Sequence, residues 1–375
     1  MSAAEQAAPG AGTTPDRRRQ IAWRTLTMVG ALALIWIAFS VATDGMFLSP
    51  RNLSLLARQM AVTSILATGM VLVIVAGQID LSVGALAGLT GALSTLVAVR
   101  LDAPLPLAFL VALGSGAVLG AAQGSLIAGL RIPPFIVTLG GMLVFQGSLL
   151  GLTRGITIAP PPAYLSVSQS YLPAAVGWIG AGVTAAAFAL AALGARGVER
   201  WRWVGLAVLA PGVTAVMNAY QGIPVPVLLV LAIGAVLSLV AYRTPFGRHL
   251  YAVGGNREAA FYAGIPIERR IVGVFTLMGL LCGIAGVVLT ARVGAATTDA
   301  GRMMELDAIA AAVIGGTSLM GGRGTVWGAL LGAMVMASLD NGMSLLNTEA
   351  FWQPILKGGI LVAAVAADMA GRRRD

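Results

Sequence analysis

The sequence predicts an all-α polytopic membrane protein, and three observations carry that prediction. Of 375 residues, 58% are hydrophobic and only 10% are charged, far from a soluble globular profile. Apolar runs of roughly 17 to 25 residues recur along the chain, each long enough to cross a hydrocarbon core of about 30 Å as a helix. The runs are continuously apolar and do not alternate with period two, which selects helices over barrel strands. The expected count is about twelve crossings, within a range of roughly 10 to 12.

Residues 1–20 are small, polar and rich in Pro and Gly, so they bury too little apolar area to fold and read as a disordered cytoplasmic tail. The first apolar run, from Trp23 to Ala42, lacks a small-residue cleavage site after it and reads as an anchor, not a signal peptide. Further spans are expected at 58–77, 82–100, 105–130, 135–152, 175–194, 203–219 and 224–241. A polar loop, 243–269, follows, and then spans at 270–291, 306–320, 324–346 and 353–369. The 306–320 run is short enough to be re-entrant. A single transmembrane domain therefore occupies 21–370, and 371–375 form a basic C-terminal tail.

An even number of crossings puts both termini on one side. With the N-terminus inside, about 17 basic residues fall in cytoplasmic segments and about 7 outside, as the positive-inside rule requires. The cytoplasmic set includes Arg17 to Arg19, Arg196, Arg200, Arg202 and Arg372 to Arg374. The net charge of +9 is thus a topology signal with membrane lipid as its partner, and no nucleic-acid partner is implied.

Enzymatic chemistry finds little to work with. One histidine, His249, and one cysteine, Cys282, cannot assemble a metal site or a nucleophile pair. Cys282 reads as helix packing. A phosphate-binding loop needs a Gly-rich turn followed by Lys, and Lys357 in QPILKGGI lacks that pattern. Ion-coupled transport would use carboxylates within the spans; Asp80, Asp307 and Asp340, near predicted span ends, keep an ion-coupled secondary transporter as the alternative reading.

Two glycine-rich breaks interrupt the apolar pattern. In AGQIDLSVG, Gly77 and Gly84 flank a polar stretch suited to a discontinuous helix whose freed backbone lines a cavity. Asp80 and Ser82 are expected to cap the helix that follows, with contact to a substrate as the other reading. Gln78, Asp80 and Ser82, together with Asn341, are the candidates for a translocation path. The second break, VIGGTSLMGGRG, repeats the spacing V-x-G-x-x-x-L-x-x-G: Val75 to Gly84 matches Val313 to Gly322. Elsewhere Gly116, Gly120 and Gly124, Gly279 with Gly283, and Gly328 with Gly332 form small-residue ridges for close helix packing. The segment 291–309 mixes Arg292 and Arg302 with Asp299, Glu305 and Asp307 and reads as a solvated outer loop or a docking surface.

The loop 243–269 carries the most specific motif. Glu258-Ala259-Ala260, with Gly264 four residues on, predicts a short helix stopped near Gly264 by Pro266. This E-A-A-x-x-x-G pattern resembles the coupling helix of bacterial ATP-binding cassette importers. The wider segment YRTPFGRHLYAVGGNREAAFYAGI, with AGQIDLSVGALAG at 76–88 and AAVIGGTSLMGGRGTVWGALLGA at 311–333, resembles the permease subunits of the ribose/xylose family of monosaccharide importers. The resemblance implies an importer permease fold in a bacterial inner membrane, with no cofactor or catalytic site on this chain. It implies ATP on a separate ATPase subunit, a sugar-binding protein, and a second permease copy. It also implies an ATPase-coupling role for Gly254, Gly255, Asn256, Glu258, Ala259, Ala260 and Gly264. An extra two-helix insertion at 175–219 is similar to the longer, xylose-type permeases, which favours xylose over ribose or galactose.

Overall fold

A helix occupies each of the twelve apolar ranges in the computed structural model, whose described residues are 17–372. In chain order these are α1 (Arg17–Ala42), α2 (Pro50–Val75), α3 (Val83–Arg100), α4 (Leu105–Gly129), α5 (Pro134–Thr153), α7 (Ala174–Gly194), α8 (Val198–Asn218), α9 (Val225–Arg243), α12 (Ile267–Val293), α13 (Met304–Ile314), α14 (Val326–Leu345) and α15 (Trp352–Arg372). Three short helices fill connections: α6 (Pro162–Gln169), α10 (Pro245–Gly255) and α11 (Arg257–Tyr262). Seven of them, α2, α3, α4, α5, α7, α9 and α12, are long and apolar enough to cross a membrane. The 11 residues of α13 rise only about 16 Å, so it cannot span by itself.

Two boundaries need correction. Helix α1 begins at Arg17, so residues 17–20 belong to it and not to the expected tail, while 1–16 lie outside the described residues. Helix α15 runs through Arg372, which takes 371 and 372 from the expected C-terminal tail; 373–375 lie outside the described residues.

Local chemistry explains the helix starts. Ser49 caps α2, its hydroxyl accepting from the Asn52 amide, and Pro50 supplies a pre-set φ at the first position. Thr244 with Pro245 starts α10 in the same way, and the Thr325 hydroxyl accepts from the Gly328 amide to start α14.

Helix α2 is the axis of the bundle: every residue from Ser64 to Val75 is buried. Helices α9, α12, α13 and α14 surround it, and the predicted glycine ridges turn out to be contact lines of α4 with α12 and of α14 with the end of α13. Gly116 and Gly120 of α4 face Gly279 and Phe275 of α12, running antiparallel, so closely that a β-carbon on either glycine would meet backbone oxygen. Gly328 and Gly332 of α14 press on Gly315 and Ala311 in the same manner. Where lipid gives helices no hydrophobic drive to associate, such backbone contact supplies the packing.

The pair α7 and α8 pack mainly on each other. Their base is closed by two backbone bonds, the Leu172 amide donating to the Ile223 carbonyl at 2.9 Å and the Val225 amide to Ser170 at 3.0 Å. The groove between them, about 500 Å³, is lined by alanines, Leu193, valines and Arg200, and shares no residue with the breaks described next.

Candidate functional site

Both predicted breaks exist, and they meet. Helix α2 ends with the Gly77 amide bonded to Ile74 and the Gln78 amide to Val73, a reverse turn that needs the left-handed φ of +74° at Gly77. Helix α13 ends identically: the Gly316 amide bonds Val313, the Thr317 amide bonds Ala312, and Gly316 has φ +88°. The internal repeat is therefore a repeated helix stop. Its structural register differs by one residue from the sequence match, because Gly77 corresponds to Gly316 and not to Gly315. The Gly322 amide then donates to the Val75 carbonyl at 2.9 Å, joining the two breaks directly.

The loop 243–269 folds onto this junction. The Asn256 carboxamide oxygen accepts from the Ala259 amide at 2.9 Å and starts α11. The Gly264 amide bonds Phe261 and the Ile265 amide bonds Ala260, with Gly264 at φ +75°, and this stops it. Ala260 is buried beneath α11, whereas Glu258 is exposed and Phe261 and Tyr262 stand 67% and 78% exposed. Gly254 lies against the Val75 carbonyl and the Gly322 amide, leaving no room for a β-carbon, and Gly255 touches Gly322. The Tyr251 hydroxyl donates to the Gly324 carbonyl at 2.8 Å. Burial, followed by the neighbouring Tyr242, pushes the Tyr251 hydroxyl well above the ordinary phenol range, so it remains a donor. The exposed aromatic pair and the Tyr251 strut were not singled out in the sequence, although two adjacent aromatics in a polar loop were a visible signal.

The four path candidates separate. Asp80 is buried, and its Oδ1 accepts from the Ser82 amide at 2.8 Å and the Ser82 hydroxyl at 2.7 Å. The Ser82 hydroxyl also lies 3.1 Å from the Gln123 carboxamide of α4. The expected cap thus differs from prediction: Ser82 makes no side-chain cap bond to the first turn of α3, and Asp80 instead folds a local turn tied to α4. Gln78 is buried with its Oε1 unpartnered. Asn341 sits elsewhere, its carboxamide engaged by Asn52 at 2.8 and 3.0 Å and by Gln59 at 3.3 Å, a polar lock between α14 and α2.

The outer-loop reading of 291–309 is overturned in part. Asp299 and Arg302 are exposed, but Glu305 and Asp307 are buried and Arg292 is half-buried. The chain turns inward there because α13 starts inside the bundle, packed on Gly84 of α3 through Gly301 and Glu305. Lys357 reaches this interior: its Nζ lies 2.9 Å from Asp307 Oδ2 and 2.9 Å from Asp340 Oδ2. The sequence placed Asp307 and Asp340 together as carboxylates near span ends, but gave no sign that Lys357, on a third helix, would join them.

Residues 52–365 match the family described as "Branched-chain amino acid transport system / permease component", which takes in both breaks, the loop and the central helices. The chain belongs to this family. Among its relatives, the xylose transport system permease protein XylH of Escherichia coli (strain K12) is 45% identical over 376 residues, covering 94% of this chain and 93% of that protein. XylH of Haemophilus influenzae is 44% identical over 362 residues, covering 92% and 96%. The ribose import permease protein RbsC of Bacillus subtilis is 37% identical over 322 residues, 86% of each chain. No solved structure matches. As a family member with several membrane-spanning helices, this permease is an inner-membrane protein.

Proposed function

We propose that the chain is the membrane-spanning subunit of an ATP-binding cassette importer for a monosaccharide, xylose first, with ribose and galactose as the other substrates to test. The carrying observation is the 45% identity to a xylose permease over 94% of the chain, which includes the α10–α11 loop packed on both helix breaks. The family's description names branched-chain amino acids, but the relatives that align over most of the chain are named for sugars: xylose, ribose, fructose and allose.

In this reading ATP is bound by a separate subunit that grips α11, with Gly254, Gly255, Asn256, Glu258, Ala259, Ala260 and Gly264 shaping and anchoring that contact. A sugar-binding protein delivers substrate on the opposite face, and a second copy of the chain completes the path. Closure of the ATPase pair pushes α11. Gly254 passes the push to the end of α2 and to the glycine-rich break that follows α13, because atoms in van der Waals contact cannot compress. The breaks rock and access alternates. No reaction on this chain is required.

The test is uptake of labelled xylose, ribose and galactose by proteoliposomes holding the permease, with and without its ATPase, binding protein and internal ATP. Xylose uptake that needs every component is the expected result. Uptake by the chain alone under an ion gradient, or competition by leucine in place of xylose, would overturn it.

A further inference from the structure

At the end of the bundle opposite the coupling loop, five helices contribute charge to one partly buried layer. Arg58 comes from α2, Arg292 from α12, Asp307 from α13, Asp340 from α14 and Lys357 from α15. Lys357 holds one oxygen of each carboxylate. The other two, Asp307 Oδ1 and Asp340 Oδ1, are buried with no hydrogen-bond partner among the described residues, as are Arg58 Nε and Arg292 Nε. Asp307 is only 8% exposed. Neighbouring contacts bring the helices to this level: Asn341, next to Asp340, donates to Gln59, next to Arg58, at 3.3 Å, and α2 packs on α12 where Gly69 meets Met278 and Leu281.

Ionised groups within the membrane are costly, and unpaired polar atoms beside them add to the cost. A staple joining α13, α14 and α15 needs only the Lys357 pairs. It does not account for the two free carboxylate oxygens beside it, or for the two free guanidinium donors in the same layer. A ligand that accepts and donates at adjacent atoms, carries no net charge and leaves easily would satisfy all four. Vicinal hydroxyls meet that description: each donates to a carboxylate and accepts from a guanidinium.

We propose that this layer is the transit site where the permease holds a polyhydroxylated substrate, the hydroxyls bridging Asp307 and Asp340 to Arg58 and Arg292; this rests on the sugar reading above. The site is shut in this conformation, although Asp340 keeps 35% of its side-chain exposure. Opening requires α15 to shift on α13, a movement of the kind alternating access involves. The free oxygens sit on the first turn of a half-helix and on its neighbour, where discontinuous helices place binding groups in transporters.

The experiment measures sugar moved per ATP hydrolysed by the complete complex in proteoliposomes, for wild type, Asp307→Asn, Asp340→Asn and Arg292→Lys. The single amide variants leave Lys357 one carboxylate, and Arg292→Lys keeps the charge while removing the fork. Loss of one charge-assisted bond to a hydroxyl predicts a fall in uptake of about tenfold or more, with a smaller fall in ATP hydrolysis, so the ratio drops. A merely structural layer would lower the apparent melting temperature and reduce uptake and hydrolysis together; that result, or unchanged ratios in all three variants, overturns the transit site. If an amide variant does not insert, Arg292→Lys decides between these outcomes. Absence of sugar uptake by the wild-type complex would overturn the sugar reading itself, and the transit site with it.

Discussion

Gly254 and Gly264 occupy the same loop for different physical reasons, and alanine separates them. Gly264 has φ +75° with open space around its missing side chain, so Gly264→Ala carries only the left-handed backbone cost, about 1 kcal/mol. Gly254 has an ordinary φ but is closed by the Val75 carbonyl and the Gly322 amide, so Gly254→Ala forces α10 off the breaks, at about 1 to 3 kcal/mol. The expected outcome is a larger drop in apparent melting temperature for Gly254→Ala, together with lost coupling between ATP hydrolysis and uptake. Equal drops, with coupling intact in both, would remove the steric part of the argument. The sequence made both glycines visible as candidates, but a string of letters does not show whether a glycine is needed for its φ or for its absent β-carbon. Asn341 is a similar case: polarity in an apolar run marks a buried role, yet only the positions of Asn52 and Gln59 reveal an interhelical lock.

At the scale of elements, the helices were legible because each apolar run is long and continuous, and the stop of α11 was legible because Gly and Pro terminate helices locally. Pairing between elements was not. The ridges of α4 and α12 could be read one at a time, whereas their mutual contact depends on a fold spread over more than a hundred residues. The charged layer escaped for the same reason, its five members lying at positions 58, 292, 307, 340 and 357. Helix α11 presents Phe261 and Tyr262 outward while Ala260 anchors it from below, so in the importer reading its outer face is what the ATPase subunit would grip. Phe261→Ala with Tyr262→Ala is expected to lower retention of the ATPase subunit in a pull-down by about tenfold or more, as buried aromatic anchors at interfaces do, with insertion unaffected. Glu258→Lys should uncouple hydrolysis from uptake while the complex still assembles. Undiminished retention in the first case and unchanged uptake in the second would move the ATPase contact away from α11.

For the whole molecule, the central helices and the α7–α8 hairpin differ in how they are held. The former are locked by backbone contact at Gly116, Gly279, Gly315 and Gly328, and by the junction at Val75, Gly254 and Gly322. The hairpin instead rests on its own interface, with Leu172 and Ile223 already paired across its base. Excising residues 173–222 and joining Leu172 to Ile223 through a short glycine linker therefore removes two helices without stretching the chain that remains. Arg58 keeps its place over the Tyr171 ring, 5.6 Å from its centroid, because Tyr171 stays; what is lost is the edge contact of Tyr171 with Tyr220 and the limited packing of α8 on α2. The shortened permease is expected to insert, bind its ATPase and retain most xylose uptake, since the breaks, α11 and the charged layer all lie outside the excised segment. Uptake by the reconstituted complex is the measurement. Loss of uptake with assembly intact would make the hairpin part of the moving machinery, acting on α2 through the α8 contact, and the difference between shorter and longer relatives would then concern transport and not the periphery.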